Sequence, residues 1–249
     1  MKTLIAVPSK DRVETLKKYT FSWLCLITEI DYKIFVEPQD FEKYKETGIP
    51  EEKLFNIGQD NQGLAYSKSQ IVNYSKENGY DLVFKVDDDI RCFTDFRKST
   101  TPEKTAELLT NFIKYVEPKF EESNLGGITF PYSFEMFEQI AWEKTKRMQT
   151  CYLIRTDLLV PSVQGISVFE DFAVGLNALT KGFLLLRYGL LGQNMGVKVG
   201  GGTGGHQSFD RSEKAKQEVE LLRKIYPPLD FRRVNKPWKI EPDLRSVKL

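Results

Sequence analysis

Short apolar runs recur through the first ninety positions, and each is followed by polar residues at its carboxyl end. Leu4-Ile5-Ala6-Val7, closed by Pro8, reads as a buried strand. So do Lys33-Ile34-Phe35-Val36 before Glu37-Pro38, Leu54-Phe55-Asn56-Ile57, and Leu82-Val83-Phe84-Lys85-Val86. Helical stretches separate them: one through Leu16, Tyr19, Phe21 and Trp23, a short one from Asp40 to Lys45, and a longer one after Gly63 with Ala65, Ile71, Val72 and Tyr74. The last ends at Asn78-Gly79, a common helix stop. Strands alternating with helices predict a parallel sheet covered on both faces. In such sheets ligands sit beyond the carboxyl ends of the strands. Those ends carry Pro8-Ser9-Lys10, Glu37, Gln59 to Gly63, and Asp87-Asp88-Asp89.

The second half is more mixed. Pro102 to Phe120 is a helix with Thr101 as its N-cap and Ala106, Leu109 and Ile113 on one face. Gly126 to Phe130 and Cys151 to Ile154 read as strands. Phe169-Glu170-Asp171 opens a helix through Val174, Leu176 and Leu179 that stops at Gly182. Gly200 to Gly205, just before His206, is almost all glycine and holds no packed conformation unaided. With no repeat and no long linker, one domain is the simplest organisation. Its boundaries are 1–209, in two halves at 1–95 and 96–209, with a basic C-terminal helix and tail at 210–249 packed on it.

At 249 residues, with 41% apolar and 12% aromatic residues, the chain buries a sizeable core and is not a disordered polymer. Lys and Arg number 36 against 35 Asp and Glu, which excludes a simple nucleic-acid-coating polycation. The segment from Arg211 to Leu249 nevertheless holds 11 basic and 6 acidic residues, a local +5. Cys25, Cys92 and Cys151 are too few and too scattered for a disulfide framework and suit a reducing compartment. The amino-terminal apolar run is too short for a signal peptide, and no stretch is long enough to span a bilayer. A soluble, cytoplasmic protein without membrane contact is expected.

Asp87-Asp88-Asp89 is the sharpest chemical feature. Two unit charges about 4 Å apart repel by about 1 kcal/mol in water and about 4 kcal/mol at an effective dielectric of 20. At the end of a buried strand they are costly unless a cation neutralises them or a pKa rises, and oxygen ligands favour Mg2+ or Mn2+ shared with substrate phosphates. An acidic turn facing water is the plainer alternative. His206, the single histidine, is either a further ligand carried by the glycine-rich stretch or an ordinary surface or core residue. Glu170 and Asp171 read either as a favourable helix start or as a carboxylate that handles the acceptor's proton. Asn61 to Lys68 joins a loop to a helix, as a plain cap or as a phosphate or nucleoside contact, and Lys10 and Arg12 invite the same two readings. Trp23 and Trp142 read as core, and Phe130-Pro131-Tyr132 as a possible pocket wall.

Together these residues resemble the GT-A class of nucleotide-sugar glycosyltransferases. The resemblance rests on Pro8-Ser9-Lys10-Asp11-Arg12 after the first strand, on the Asn-x-Gly-x-Ala stretch from Asn61 to Ala65, on D-x-D at Asp87 to Asp89, on Glu170-Asp171, and on one distant histidine. The stretches from Phe35 to Tyr44, Gln62 to Tyr66 and Lys85 to Ile90 are similar to the TET/JBP-associated glycosyltransferases, a family found largely in phages. The likeness runs from about Leu4 to His206. Lys68 departs from it, since many GT-A enzymes carry Arg there.

The resemblance implies a GT-A α/β fold, Rossmann-like, with a mixed, mainly parallel sheet flanked by helices. It implies a hexosyl- or pentosyltransferase that moves a sugar from a UDP-sugar to the hydroxyl of a 5-hydroxymethylated pyrimidine in DNA, in the host cytoplasm if phage-encoded. The implied donor site comprises Pro8, Ser9, Lys10, Arg12, Glu37, Asn61, Gly63, Tyr66, Lys68, Asp87 and Asp88. The implied Mn2+ or Mg2+ ligands are Asp87, Asp89 and His206. Asp171 is the first choice for the acceptor's proton and Glu170 the second. Arg232, Arg233, Lys236, Trp238 and Lys239 are candidates for contact with DNA, as against an ordinary solvated face. A protein or glycan acceptor, or a DNA-binding protein without catalysis, are the alternatives.

Overall fold

The computed structural model describes residues 1–95, 100–133, 140–159, 166, 169–196, 211–225, 230–233 and 240–243, with the backbone alone at 211–214, 225, 230–233 and 240–243. Strands β1 (Thr3–Ser9), β2 (Asp31–Val36), β3 (Leu54–Asn56) and β4 (Leu82–Lys85) pair in parallel in the order β3-β2-β1-β4. The sheet continues through β8 (Tyr152–Arg155), β6 (Leu125–Thr129), β9 (Leu184–Arg187) and β7 (Glu143–Lys144). β6 and β9 are parallel, while β8 lies antiparallel to both β4 and β6 and β7 antiparallel to β9. The fold is the expected mixed α/β sheet. Short edges and insertions such as β7 carry no apolar run and leave no mark in the hydrophobic pattern.

Alternation along β1 divides the core. Ile5 and Val7 join Trp23, Leu109, Ile113 and Phe130 on one face, and Leu4 and Ala6 join Ile71, Val72, Tyr152 and Val174 on the other. Helices α2 (Thr20–Leu24) and α5 (Pro102–Glu122) therefore cover the first face, and α4 (Leu64–Glu77) and α6 (Glu170–Thr180) the second. α5 begins as expected, with Thr101 Oγ1 accepting from the Lys104 amide at 3.3 Å. α7 (Arg211–Ile225) docks Leu222 against Phe172, Ala173 and Leu176 of α6, and a hairpin of β11 (Asp230–Arg233) and β12 (Ile240–Asp243) follows it. Of the carboxyl-terminal extension, the described residues thus comprise α7 and the paired strands β11 and β12.

Two departures from the sequence reading bear on function. The first helical segment splits into α1 (Val13–Lys18) and α2, with Tyr19 off helical geometry between them. The break lets Thr20 Oγ1 donate to the Asp87 carbonyl at 2.7 Å and accept from the Ile90 amide at 2.9 Å. A two-stranded ribbon of β5 (Ile90–Asp95) and β10 (Leu191–Met195) then leaves the main sheet immediately after the aspartates. Trp142 is half-buried rather than core, its ring 4.7 Å from that of Tyr188.

The chain runs from β1 outward to β2 and β3 on one side, and returns to β4 on the other. The strand order reverses between β1 and β4, and the crevice outside their carboxyl ends is where such sheets bind ligands. No described helix is long and apolar enough to cross a membrane. All three cysteines are free, with Cys92 and Cys151 buried.

Candidate active site

The loop after β1 and the turn after β4 meet at that reversal. Arg12 reaches across the crevice with one guanidinium nitrogen 2.8 Å from Asp88 Oδ1 and another 2.9 Å from Asp89 Oδ2. Ser9 Oγ donates to Asp88 Oδ2 at 2.7 Å and shares a 2.7 Å bond with the Tyr44 hydroxyl. Trp23 Nε1 donates to the Ile90 carbonyl at 2.9 Å, so the acidic turn is fastened from beneath by Thr20 and Trp23. Burial pushes the Asp88 carboxyl up to about 7 even against Arg12 and the Ser9 hydrogen bond, and burial with the neighbouring Asp87 charge raises Asp89 as well.

The three aspartates therefore face different surroundings. Asp88 is buried and turned toward Ser9 and Arg12. Asp87, a third exposed, opens to the crevice and meets Lys85 Nζ. Asp89 is paired through Oδ2, and its Oδ1 is buried without a hydrogen-bond partner. That orphaned oxygen, with Asp87 beside it, fits a hard divalent cation. Among the described residues no group of three or more His, Cys, Asp or Glu side chains is set to hold a metal ion. His206 lies outside the described residues.

A second cluster joins the ends of β2 and the loop before α4. Glu37 is buried and takes Lys10 Nζ at 3.1 Å, the Asn61 amide at 3.0 Å and Gln39 Nε2 at 2.7 Å. Lys10 Nζ also donates to Asn61 Oδ1 at 2.6 Å. Asn61 sits at φ 57, a left-handed conformation that Asn tolerates, and Gly63 at φ 81 turns the chain into α4. The Tyr66 hydroxyl donates to the Ile57 carbonyl at 2.8 Å and closes this loop onto β3. Pro8 is half-buried within β1, and Lys10, Asn61 and Gly63 line the rim of the crevice.

On the α4/α6 face two lysines lie inside the protein. Lys68 and Lys85 are fully buried, and their Nζ atoms are 3.3 and 3.9 Å from the same Asp171 oxygen, Oδ1. Lys68 also meets the Glu170 carboxylate and the Tyr152 hydroxyl, and Lys85 donates to the Thr150 carbonyl at 3.0 Å. Glu170 is buried, whereas Asp171 is a third exposed. Burial, together with the Lys85 charge, brings the Lys68 ammonium down to about 7. Burial also opposes the charge of Lys85, but Asp87 and Asp171 outweigh it and hold that ammonium above its ordinary value.

The sequence reading placed Asp87, Asp171 and the first-strand loop but overlooked Lys85, Tyr152 and Thr150. Lys85 did leave a signal: it is the only charge inside an otherwise apolar strand, and lysine is rarely buried unless paired. Next to this cluster the Tyr132 hydroxyl bonds Thr150 Oγ1 at 2.6 Å, and a polar cavity of about 200 Å3 is lined by Thr129, Glu143, Thr145, Arg147, Gln149 and Arg187. Of the residues proposed for nucleic acid, Arg232 and Arg233 lie on β11, and Lys236, Trp238 and Lys239 lie outside the described residues.

Comparison with known proteins agrees with this layout. A family model described as TET-associated glycosyltransferase matches residues 3–198. Among solved structures, GalNAc-T7 with UDP, GalNAc and Mn2+ superposes with a TM-score of 0.57 at 11% identity, over 88% of this chain and 48% of that one. Mycobacterium tuberculosis glucosyl-3-phosphoglycerate synthase with Mn2+, UDP and glucosyl-3-phosphoglycerate gives 0.55 at 11%, over 96% and 86%. S. aureus TarS 1–349 gives 0.55 at 12%, over 90% and 65%. The chain thus spans about half of the GalNAc-T7 chain and just under two thirds of the TarS one. At these identities the likeness is one of fold, the GT-A arrangement. No curated protein matches the sequence.

Proposed function

We propose that this chain, which belongs to the TET-associated glycosyltransferase family, transfers a sugar from a UDP-sugar to the hydroxyl of a 5-hydroxymethylated pyrimidine in DNA. The observation that carries the reading is that Lys85 touches both Asp87 and Asp171, so a carboxylate from the donor edge and one from α6 face a single cleft. UDP and manganese in the GT-A neighbours support a nucleotide-sugar donor with a divalent ion. Asp87 and Asp89 would hold that ion, with His206 as a further ligand, and when bound it neutralises charge on the departing diphosphate. Lys10, Arg12, Glu37, Asn61, Gly63 and Tyr66 shape the rim against which the nucleotide rests.

Asp171 is the acceptor-side group, since Glu170 is buried against Lys68. In an inverting transfer the acceptor oxygen bonds to the anomeric carbon, the bond from that carbon to the diphosphate breaks, and the hydroxyl proton passes to Asp171. The family description points to modified DNA, and the local +5 of residues 211–249 supplies phosphate-binding charge, with Arg232 and Arg233 within it. A base within duplex has to be flipped outward to reach such a crevice. The free cysteines suit a reducing cytoplasm.

The test is to incubate the protein with UDP-sugars, Mn2+ and DNA containing hydroxymethylcytosine or hydroxymethyluracil, digest it to nucleosides and weigh them. A hexose or pentose increment on the modified base is expected. Transfer to a protein or glycan with indifference to DNA would overturn the acceptor, and absence of any transfer or sugar-nucleotide binding would overturn the activity.

A further inference from the structure

We propose that Lys68 is a positioning residue for Asp171 rather than a contact to the donor's phosphates. Lys68 Nζ donates to Asp171 Oδ1 at 3.3 Å and to the Tyr152 hydroxyl, and it pairs with the Glu170 carboxylate. Its side chain is fully buried, which keeps it from a phosphate in the open crevice. Lys85 approaches the same Asp171 oxygen from β4 at 3.9 Å, and the two lysines hold the carboxylate from two sides. The contact spans α4, β4, β8 and α6, the elements that bring the donor and acceptor halves together. Lys68 fixes where the acceptor-side carboxylate stands while touching no substrate.

The groups facing Lys68 are Glu170 and Asp171 from α6, Tyr152 from β8, Lys85 from β4 and, at longer range, Asp87 from the turn after β4. Burial and the Lys85 charge oppose its ammonium, and the carboxylates of Asp171 and Glu170 hold it.

This inference rests on the transferase reading, and its test separates the two. Lys68→Met is expected to lower kcat about 100-fold while the Kd for the sugar nucleotide, measured by calorimetry, stays within about twofold. A tenfold rise in donor Kd with kcat intact at saturation would overturn the proposal. A crystal structure of Lys68→Met, which needs no turnover, is expected to show the Asp171 carboxylate displaced. If the wild type transfers nothing, the transferase reading fails, and an undisplaced Asp171 in that structure would sink the positioning role separately.

Discussion

Arg12→Met puts the strand-end arrangement to a direct measurement. The guanidinium is about one fifth exposed and pairs two carboxylates that are each under a tenth exposed, at 2.8 and 2.9 Å. Methionine keeps the stem's bulk and removes the charge. Breaking a buried pair by deleting one partner costs about 3–5 kcal/mol, because the remaining charge stays desolvated and unpaired. For a chain of this length each kcal/mol moves the midpoint of melting by about 2–4 °C, so a drop of about 6–20 °C is expected. The assay is urea unfolding of four proteins: wild type, Arg12→Met, Asp88→Asn and the double variant. Neutralising Asp88 removes one of the stranded charges, so the double variant is expected to recover at least half of the loss. An Arg12→Met protein within about 1 kcal/mol of wild type would refute the reasoning, since that is how a solvent-screened surface pair behaves.

Other outcomes follow from the same geometry. Asp171→Asn is expected to cut kcat by about 10²–10⁴ with donor affinity retained, read by single-turnover transfer. Chelation with EDTA is expected to abolish transfer and manganese to restore it in the wild type but not in Asp89→Asn, whose buried carboxylate oxygen is the proposed ligand. Burial lowers the Lys68 ammonium on folding, so the unfolded chain binds more protons as that group titrates, and the wild type is expected to gain stability on Lys68→Met as pH rises above neutral. Parallel slopes in denaturant melts of the two proteins would contradict the burial argument.

The parallel half of the sheet was legible because its strands are uninterrupted apolar runs, buried on both faces, with polar residues collected at one end. Asp87 stood out as a carboxylate where an apolar strand stops, and Asp171 as one where an apolar helix begins. The break at Tyr19 was not legible, since Leu16, Tyr19 and Trp23 keep a helical spacing across it. What breaks the helix is Thr20 bonding to the Asp87 and Ile90 backbone 67 and 70 residues away. The ribbon of β5 and β10 was missed because Arg91 and Asn194 interrupt any apolar run. Lys68 looked like a phosphate contact because it follows a helix start by one turn. Only the packing of α4 against α6 shows that this side of the helix faces inward.

The reversed direction of β8 reaches beyond catalysis. Because it runs against β4, its first residue, Tyr152, pairs with Lys85 at the end of β4, and Thr150 just before it accepts from the Lys85 ammonium. The excursion from Ala141 to Gln149 therefore reaches the cleft from outside β1–β4, tied to the far side of the sheet where β7 pairs with β9. Residues there change without disturbing the parallel scaffold, a seam along which one wall of the crevice varies independently of the other.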